Sequence, residues 1–263
     1  MRKAIFITGG GSGIGRAVAT LFAARGWFVG LADIDAAGLA ETARRIGPAN
    51  ASVHPMDVRS REEWQAALAA FVAASGGRLD VLFNNAGVGR GGPFAAMAAA
   101  DRDLVIDVNL KGVIYGAEAG LPHLAATPGS VLINTGSAAG LFGAPNMAVY
   151  CASKFAVKGL TESLAAEWQA LGIRVCSVMP SFIDTPLLDP IAAGSNRSGR
   201  ETVQAMGLEF TPLEEVAEQI WQAVHGRRVH TLIGKTARRL AFIVRFAPFL
   251  LGRARRPAPP PGG

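Results

Sequence analysis

The sequence predicts one α/β domain built on a doubly wound parallel sheet of about seven strands, with helices on both faces. Apolar runs of strand length alternate with helical stretches along most of the chain, which is typical of a parallel sheet covered by helices. A glycine-rich segment, residues 9–15, joins the first strand to the first helix. Polar residues such as Asp33, Asp57 and Ser137 follow the strands, so we expect them to converge at the carboxyl edge of the sheet.

The elements follow one another in a regular order. Strands are predicted at residues 4–8, 27–32, 51–55, 80–84, 129–135, 173–179 and 229–233, and helices at 13–25, 36–47, 60–75, 101–124, 148–171 and 213–225. This order assigns residues 1–235 to one domain, in which residues 186–212 are predicted to form a flexible lid. Residues 236–256 are predicted to form a basic amphipathic extension. Residues 257–263, which are proline and glycine with one alanine, are predicted to be disordered.

The charge is unevenly distributed along the chain. Half of the 263 residues are hydrophobic, which is ample for a core, and 17% are charged. Residues 1–218 hold 17 Lys and Arg against 20 Asp and Glu, whereas residues 219–263 hold nine basic residues and no acidic one. The net charge of +6 therefore arises in the last segment and does not indicate a nucleic-acid enzyme.

Several other classes of protein are disfavoured by the composition. The cysteines, Cys151 and Cys176, show no metal-binding or disulfide spacing, and the four histidines lack ligand spacing, so no metal site is predicted. Residues 1–3 run directly into the first strand, so no signal peptide is expected. No uninterrupted apolar run reaches about 18 residues, the length of a transmembrane helix. A cytoplasmic protein, with peripheral membrane contact as an option, is expected.

Tyr150 and Lys154 form the pair that first suggests a chemical function. At positions i and i+4 they share one face of a helix, and Ser137 lies thirteen residues upstream. An ammonium so close is expected to lower the pKa of the phenol from its usual value of about 10. Such a phenol can give a proton to a carbonyl oxygen or take one from an alcohol.

The glycine-rich segment suggests a cofactor. Between a strand and a helix, backbone N–H groups and the helix N-terminus can hold a pyrophosphate. Gly9, Gly13 and Gly15 give the spacing G-x-x-x-G-x-G. Asp33 ends the second strand, where a carboxylate accepts hydrogen bonds from ribose hydroxyls and repels a 2′-phosphate, so NAD(H) is favoured over NADP(H). The alternative role for Asp33, capping the next helix, suits Asp35 better.

In this order, the glycine segment, residues 84–87, Asn109, Ser137, Tyr150 and Lys154 resemble the short-chain dehydrogenase/reductase family in its single-domain, Rossmann-type form. The resemblance covers about residues 3–235, and it implies that residues 1–235 form a dinucleotide-binding catalytic domain. It implies that Tyr150 is the acid or base and that Ser137 orients the reacting oxygen. Lys154 is expected to hold the nicotinamide ribose, and Asn109 is expected to anchor a water molecule. Other implied cofactor contacts are Gly9, Ser12, Gly13, Ile14, Gly15, Ile34, Asp57, Val58, Asn84, Ala86, Gly87, Pro180, Ile183 and Thr185.

One position departs from the family pattern. After the sixth strand the family usually has Pro-Gly, whereas this chain has Pro180-Ser181. A side chain restricts the backbone there, which places the local loop shape in question more than the activity.

The segments around the predicted lid indicate the substrate. Arg197 and Arg200 are expected to be solvated, so no carboxylate or phosphate clamp is evident. A lipophilic secondary alcohol or ketone is the predicted substrate. The pocket is predicted to be mostly apolar, formed by Phe142, Ala144, Pro145, Met147, Phe182, Leu187 and Leu188.

The basic extension has two interpretations. Arg238 and Arg245 share one face, and residues such as Leu240 and Val244 form an apolar one. The extension either packs over the substrate mouth or a partner subunit, which is favoured, or lies on an anionic membrane surface. Pro248 is expected to break or kink the helix. The resemblance also implies a homo-oligomer, as a dimer or homotetramer.

The predicted function is hydride transfer between NAD(H) and a lipophilic secondary alcohol or ketone. The alternatives are an NADP(H)-dependent carbonyl reductase, a nucleotide-sensing binding protein and a membrane-surface scaffold. The complete set Ser137, Tyr150 and Lys154 argues against the last two as sole roles.

Overall fold

The computed structural model describes residues 2–251, which contain one parallel sheet with the strand order β3-β2-β1-β4-β5-β6-β7. The predicted disordered tail and the last three arginines lie outside the described residues. The strands are β1 Ala4–Thr8, β2 Phe28–Asp33, β3 Ala51–Pro55, β4 Val81–Asn84, β5 Val131–Thr135, β6 Arg174–Pro180 and β7 His230–Ile233. The predicted fold class is confirmed, and the predicted strand ends lie within two residues of these.

The helices cover both faces of the sheet. They are α1 Gly13–Ala24, α2 Ala36–Ile46, α3 Arg61–Ala74, α4 Ala99–Ile106, α5 Gly112–Ala125, α6 Ala148–Glu167, α7 Gly199–Ala205, α8 Leu213–His225 and α9 Lys235–Phe246. Two predicted helices differ from this structure. The stretch 101–124 is divided by a π-helical turn at Asp107–Lys111, and 148–171 ends in a 3-10 turn, Trp168–Leu171. The predicted lid contains the helix α7.

Alternation along β1 divides the core into two layers. Ile5 and Ile7 point to one face, where they pack in a cluster with Phe22 of α1. Phe6 points to the other face and makes an edge contact with Phe71 of α3 at 5.2 Å between ring centroids. Each such buried side chain contributes roughly 1.5–3 kcal/mol to folding. The sheet is therefore a rigid platform fixed from both sides.

The strand order reverses at the centre of the sheet. β1 pairs with β2 on one side and with β4 on the other, and both pairings are parallel. In open α/β sheets the connections on either side of such a point diverge and leave a crevice at the carboxyl ends of the strands. A candidate site is expected there.

The final helix, α9, begins at the carboxyl end of β7 and lies against the turn Ala138–Gly140 that follows β5. The helix ends at Phe246, and Pro248 begins a short 3-10 turn, Pro248–Leu250. The predicted break at Pro248 is confirmed, since proline cannot continue the hydrogen-bond ladder.

Candidate active site

A cleft of about 690 Å³ runs along the carboxyl edge of the sheet across the reversal in strand order. Three of the predicted site residues, Gly15, Asn84 and Asn109, do not line it. The cleft is lined by the remaining predicted residues, which are Gly9, Ser12, Gly13, Ile14, Asp33, Ile34, Asp57, Val58, Ala86, Gly87, Ser137, Tyr150, Lys154, Pro180, Ile183 and Thr185.

The glycine segment forms the floor at one end of the cleft. Gly9 has φ +68°, a conformation that side chains rarely adopt, and a Cβ on Gly15 would lie 2.0 Å from the Gly9 carbonyl oxygen. The first turn of α1 therefore packs directly on the loop. Ser12 precedes α1, and its side chain makes no capping hydrogen bond. Ser12, Gly13 and Ile14 line the cleft, so the N-terminal end of α1 borders it, as pyrophosphate binding requires.

Asp33 connects the loop to the end of β2. One carboxylate oxygen accepts from the Gly11 N–H at 3.0 Å, and the other accepts from the Asp35 N–H at 3.1 Å. Asp35 caps α2 by accepting from the Gly38 N–H at 3.0 Å, which confirms its predicted role. Asp33 therefore does not cap the helix, and its carboxylate faces the cleft beside the exposed Ile34.

Asp57 and Arg59 lie at the same end of the cleft. The Arg59 guanidinium contacts both carboxylate oxygens of Asp57, Oδ2 at 2.5 Å and Oδ1 at 3.0 Å, and this partner lowers the pKa of Asp57. Arg59 was not identified from the sequence, although it stands two residues after Asp57. Its charge is already engaged by a carboxylate.

Asn84 and Asn85 have different roles. Asn84 is buried, and its amide group donates to the Asn134 Oδ1 at 3.0 Å and to the Val113 carbonyl at 3.3 Å. Its side chain ties β4 to β5 and to α5 and does not reach the cleft, contrary to the prediction that it lines the adenosine side. Asn85 lines the cleft and donates to the Thr8 carbonyl at 2.9 Å. Successive side chains near a strand end point to opposite sides, so the neighbour faces the site.

Ser137, Tyr150 and Lys154 meet at the centre of the cleft. Ser137 follows β5 and accepts from the Ala139 N–H at 3.1 Å. Tyr150 and Lys154 stand one turn apart on α6, with the Lys154 Nζ 5.7 Å from the centroid of the tyrosine ring. The ammonium donates to the Thr135 carbonyl at 2.9 Å. The predicted juxtaposition of the three side chains is present.

The pKa values of this pair differ from the expectation. Burial raises the pKa of Tyr150, and a hydrogen bond with Ser137 acts in the opposite direction. Burial also lowers the pKa of Lys154 to about 8. The predicted lowering of the Tyr150 pKa by Lys154 is therefore not found in the protein alone, because desolvation penalises both charged forms.

Asn109 lies inside the π-helical turn, fully buried. Its amide exchanges two hydrogen bonds with the backbone of Val88, accepting at 2.8 Å and donating at 3.0 Å. π-turns inside α-helices occur frequently at functional sites. This turn holds Asn109 against the segment after β4, beside Gly87, where a Cβ would lie 3.2 Å from Asn109 Oδ1 and 4.0 Å from Lys154 Nζ.

Ser181 does not distort the loop after β6. Its N–H and hydroxyl both donate to the Ile233 carbonyl of β7, at 3.0 and 3.3 Å. Among the described residues other than glycine, positive φ occurs at Asn146 and not here. The loop therefore does not require the glycine of the family pattern, and Ile183 and Thr185 reach the cleft.

Arg200 fastens the lid, contrary to the prediction that it is solvated. Its guanidinium contacts Asp184 at 2.6 Å, contacts Asp189, and donates to the Thr185 carbonyl at 3.3 Å. These partners raise its pKa. Arg197 is exposed, as predicted. The start of α7 is thereby tied to the segment that borders the cleft.

The other half of the cleft is mostly apolar. Of the predicted pocket residues, Pro145 is exposed and does not line it. Leu104, Thr236 and Leu240 were not predicted as lining residues. Arg90, also missed, lies at this end and pairs with Asp101 at 3.2 Å. The apolar lining comprises Phe142, Ala144, Met147, Phe182, Leu187, Leu188, Leu104, Val108, Ile191 and Leu240.

These features fit a dinucleotide. A helix N-terminus, a glycine floor, a serine and an aspartate line one half of the cleft, which leads to a tyrosine and a lysine at its centre. Among residues 2–251 no group of three or more potential ligands is arranged to hold a metal ion. None of the helices in this range combines the length and the apolar character needed to cross a bilayer.

Comparison with known proteins identifies the class. Residues 3–196 match the family model of the short chain dehydrogenases. The chain belongs to the short-chain dehydrogenase/reductase family, and the predicted resemblance is confirmed. It is an oxidoreductase of that family acting on alcohols or ketones, and solved members of the family bind a nicotinamide cofactor, NAD or NADP.

Individual relatives share most of the chain. Oxidoreductase UcpA of Salmonella typhimurium is 36% identical over 83% of both chains. Cyclohexanol dehydrogenase of Acinetobacter sp. is 36% identical over 71% of this chain and 75% of that protein. A short-chain dehydrogenase/reductase from Burkholderia phymatum, solved in complex with NAD, superposes with a TM-score of 0.84 and 31% identity over 100% of this chain and 98% of its own. Another solved protein of this fold contains NADP.

Proposed function

We propose that the protein is an NAD(H)-dependent dehydrogenase or reductase that interconverts lipophilic secondary alcohols and ketones, with Tyr150 as the general acid and base. The observation that carries the cofactor choice is Asp33, whose carboxylate lies at the end of β2 and does not cap α2. An additional phosphate on the ribose would meet this charge. Arg59, the cation at the same end, is paired with Asp57, so a phosphate would have to compete with this carboxylate for it.

The residues of the cleft divide the chemistry among them. A bound nicotinamide supplies or accepts the hydride. In ketone reduction the Tyr150 hydroxyl gives its proton to the carbonyl oxygen and becomes a phenolate, and in alcohol oxidation the phenolate takes the proton from the alcohol. Ser137 donates a hydrogen bond that orients the same oxygen. Lys154 lies one turn away on α6, and its protonated ammonium form stabilises the Tyr150 phenolate.

The apolar half of the cleft supports the substrate class. Its lining is dominated by aliphatic and aromatic side chains, and its cation, Arg90, is paired with Asp101. Each buried methylene of a substrate contributes about 0.8 kcal/mol of binding. Ketones with larger apolar groups should therefore have a higher kcat/KM than small or acidic ones.

The test compares both cofactors in wild type and two aspartate variants. The wild type should have a higher kcat/KM with NAD(H) than with NADP(H). Asp33→Ala should reduce the ratio of these two kcat/KM values. Asp35→Ala is the matched control, because removing this cap costs about 1 kcal/mol of stability but leaves Asp33 in place. A wild type that prefers NADP(H), or equal effects of the two variants, would disprove the cofactor assignment.

A further inference from the structure

The helix α9 has two faces that serve different purposes. At about 100° per residue, Lys235, Arg238, Arg239, Phe242, Arg245 and Phe246 fall within an arc of about 120°. All six are exposed, while every other residue of α9 is buried or half-buried. We call these six residues the outer face. The inner face contains Ala237, which is fully buried, and Leu240, which lines the cleft.

The inner face therefore accounts for the apolar residues that first suggested a membrane helix. Leu240 and Val244 turn toward the protein, so packing over the substrate side of the cleft explains them. This packing leaves Phe242 and Phe246 unexplained. Their side chains are 62% and 64% exposed, and their rings contact each other at 5.0 Å between centroids. Phe249, in the turn that follows, is 77% exposed.

The three arginines of the outer face are not neutralised by carboxylates of the described residues. Lys235 approaches Glu209 at 3.6 Å, and Arg238 donates to the neutral amide of Gln219 at 3.1 Å. No carboxylate within residues 2–251 forms an ion pair with Arg238, Arg239 or Arg245. The sequence adds three more arginines and no acid after residue 251. Exposed aromatic rings among unpaired arginines match an anionic lipid surface, which takes up both.

We propose that the outer face of α9, with Phe249, docks the protein on an anionic lipid surface with the substrate half of the cleft beside the lipid boundary. Leu240 and Phe242 are two positions apart on the same helix, one in the cleft wall and one on the outer face. A lipophilic substrate dissolved in lipid would therefore enter close to the surface on which the protein rests. The docking itself does not depend on the proposed function.

A second copy of the chain is a less favourable occupant. A two-fold interface uses the same patch on both subunits, so it would bring the outer-face arginines of the two subunits close together. Like charges brought together in a desolvated interface are destabilising. An anionic lipid surface instead gains from each arginine, and the gain decreases as salt is added.

The test measures binding of the full chain, without cofactor or substrate, to sedimenting vesicles. One set contains phosphatidylcholine alone, and the other contains phosphatidylcholine with phosphatidylglycerol. The wild type should bind the anionic vesicles at low salt, and added salt should weaken binding. Arg238→Glu/Arg239→Glu should weaken it on the order of tenfold or more. The matched control, Arg227→Glu/Arg228→Glu, changes the net charge equally. These two exposed arginines lie before the amino end of β7, whereas α9 follows its carboxyl end, so the control should retain binding to the anionic vesicles.

A second pair of variants tests the aromatic component. Phe246→Ser should reduce vesicle binding at both salt concentrations, because burial of a ring in lipid is not screened. Phe94→Ser is the control, since Phe94 is 59% exposed beside Arg102 and lies elsewhere. All four variants alter exposed side chains and should keep the melting temperature of the wild type.

Three results would overturn the proposal. The first is that the wild type binds neither kind of vesicle. The second is that the two double arginine variants lose vesicle binding equally. The third is that the outer-face variants change oligomeric state in the absence of vesicles. The last would assign this face to contacts between copies. Because no substrate is present, a wrong substrate class would leave vesicle binding intact, and absent vesicle binding would leave activity in solution intact.

Discussion

Tyr150 donates and accepts the proton in the proposed chemistry. The variant Tyr150→Phe removes the hydroxyl group that does so and keeps the ring. Loss of a positioned proton donor typically costs on the order of 10²–10⁴ in rate. We expect kcat to fall by this factor while the dissociation constant of the cofactor, measured by calorimetry, is unchanged. Tyr115→Phe alters the other tyrosine of the chain, which lies under Arg61 outside the cleft, and should keep full activity. Near-normal turnover of Tyr150→Phe would remove this residue from the mechanism.

Lys154 gives a prediction about stability as a function of pH. Burial lowers its pKa from 10.5 to about 8. Between these values the unfolded chain binds more protons than the folded one, so the contribution of Lys154 to the free energy of unfolding rises with pH. Lys154→Met lacks this dependence. The difference in free energy of unfolding, variant minus wild type, should therefore fall by about 2 kcal/mol from pH 7 to pH 10.

Urea titrations of both proteins at several pH values measure this difference. Lys158→Met removes an ammonium one turn further along α6, where the side chain is less buried and pairs with Glu162 at 2.6 Å. A difference that stays constant or grows with pH in Lys154→Met would contradict the expected direction. So would a stronger decline in the control than in Lys154→Met.

Arg200 positions the lid helix α7, because it joins this helix to Asp184 and Asp189 in the segment before it. Partly exposed ion pairs contribute roughly 0–1 kcal/mol, so Arg200→Met should change the melting temperature little. The lid should nevertheless become more mobile beside Thr185, which raises KM for the substrate more than it lowers kcat. Arg197→Met changes an exposed arginine of the same lid and should leave both parameters unchanged. An unaltered KM in Arg200→Met would show that this contact does not position the lid.

The elements could be predicted where one local pattern determined them. Strands such as β1 are short apolar runs, and Asp35 stands where a cap is needed. The π-helical turn around Asn109 was not predictable, because its residues continue an ordinary helical pattern and the turn is fixed by contacts with Val88. The partners of Arg200 are similarly distant in sequence. The glycine segment and Tyr150-x-x-x-Lys154 identified the site because their chemistry depends on local spacing.

Orientation was the other limit of the sequence. The pair Asn84-Asn85 marks the end of β4, but which of the two faces the cleft depends on the register of β4 against β5. The pKa of Tyr150 depends on its burial, which the spacing to Lys154 does not reveal. Both features arise from packing of the assembled sheet and helices.

At the scale of the whole molecule, the cofactor and substrate halves of the cleft are supported by different parts of the chain. The predicted cofactor contacts end by Thr185, whereas the apolar half of the cleft, the proposed substrate side, is completed by Thr236 and Leu240 of α9. Deletion of residues 236–263 should therefore leave the dissociation constant of NAD unchanged. The same deletion should lower kcat/KM for large lipophilic ketones more than for small ones, because it removes part of the apolar wall.

A point variant separates the loss of this wall from any loss of stability caused by the deletion. Leu240→Ala removes apolar contacts in the cleft, with a cost of roughly 1 kcal/mol, or about fivefold in kcat/KM for a large ketone. Leu250→Ala is the control, because Leu250 is exposed after α9 and does not line the cleft. Assays in solution without vesicles keep membrane docking out of the comparison. Equal kinetics of Leu240→Ala and the wild type on large ketones would show that α9 does not contact the substrate.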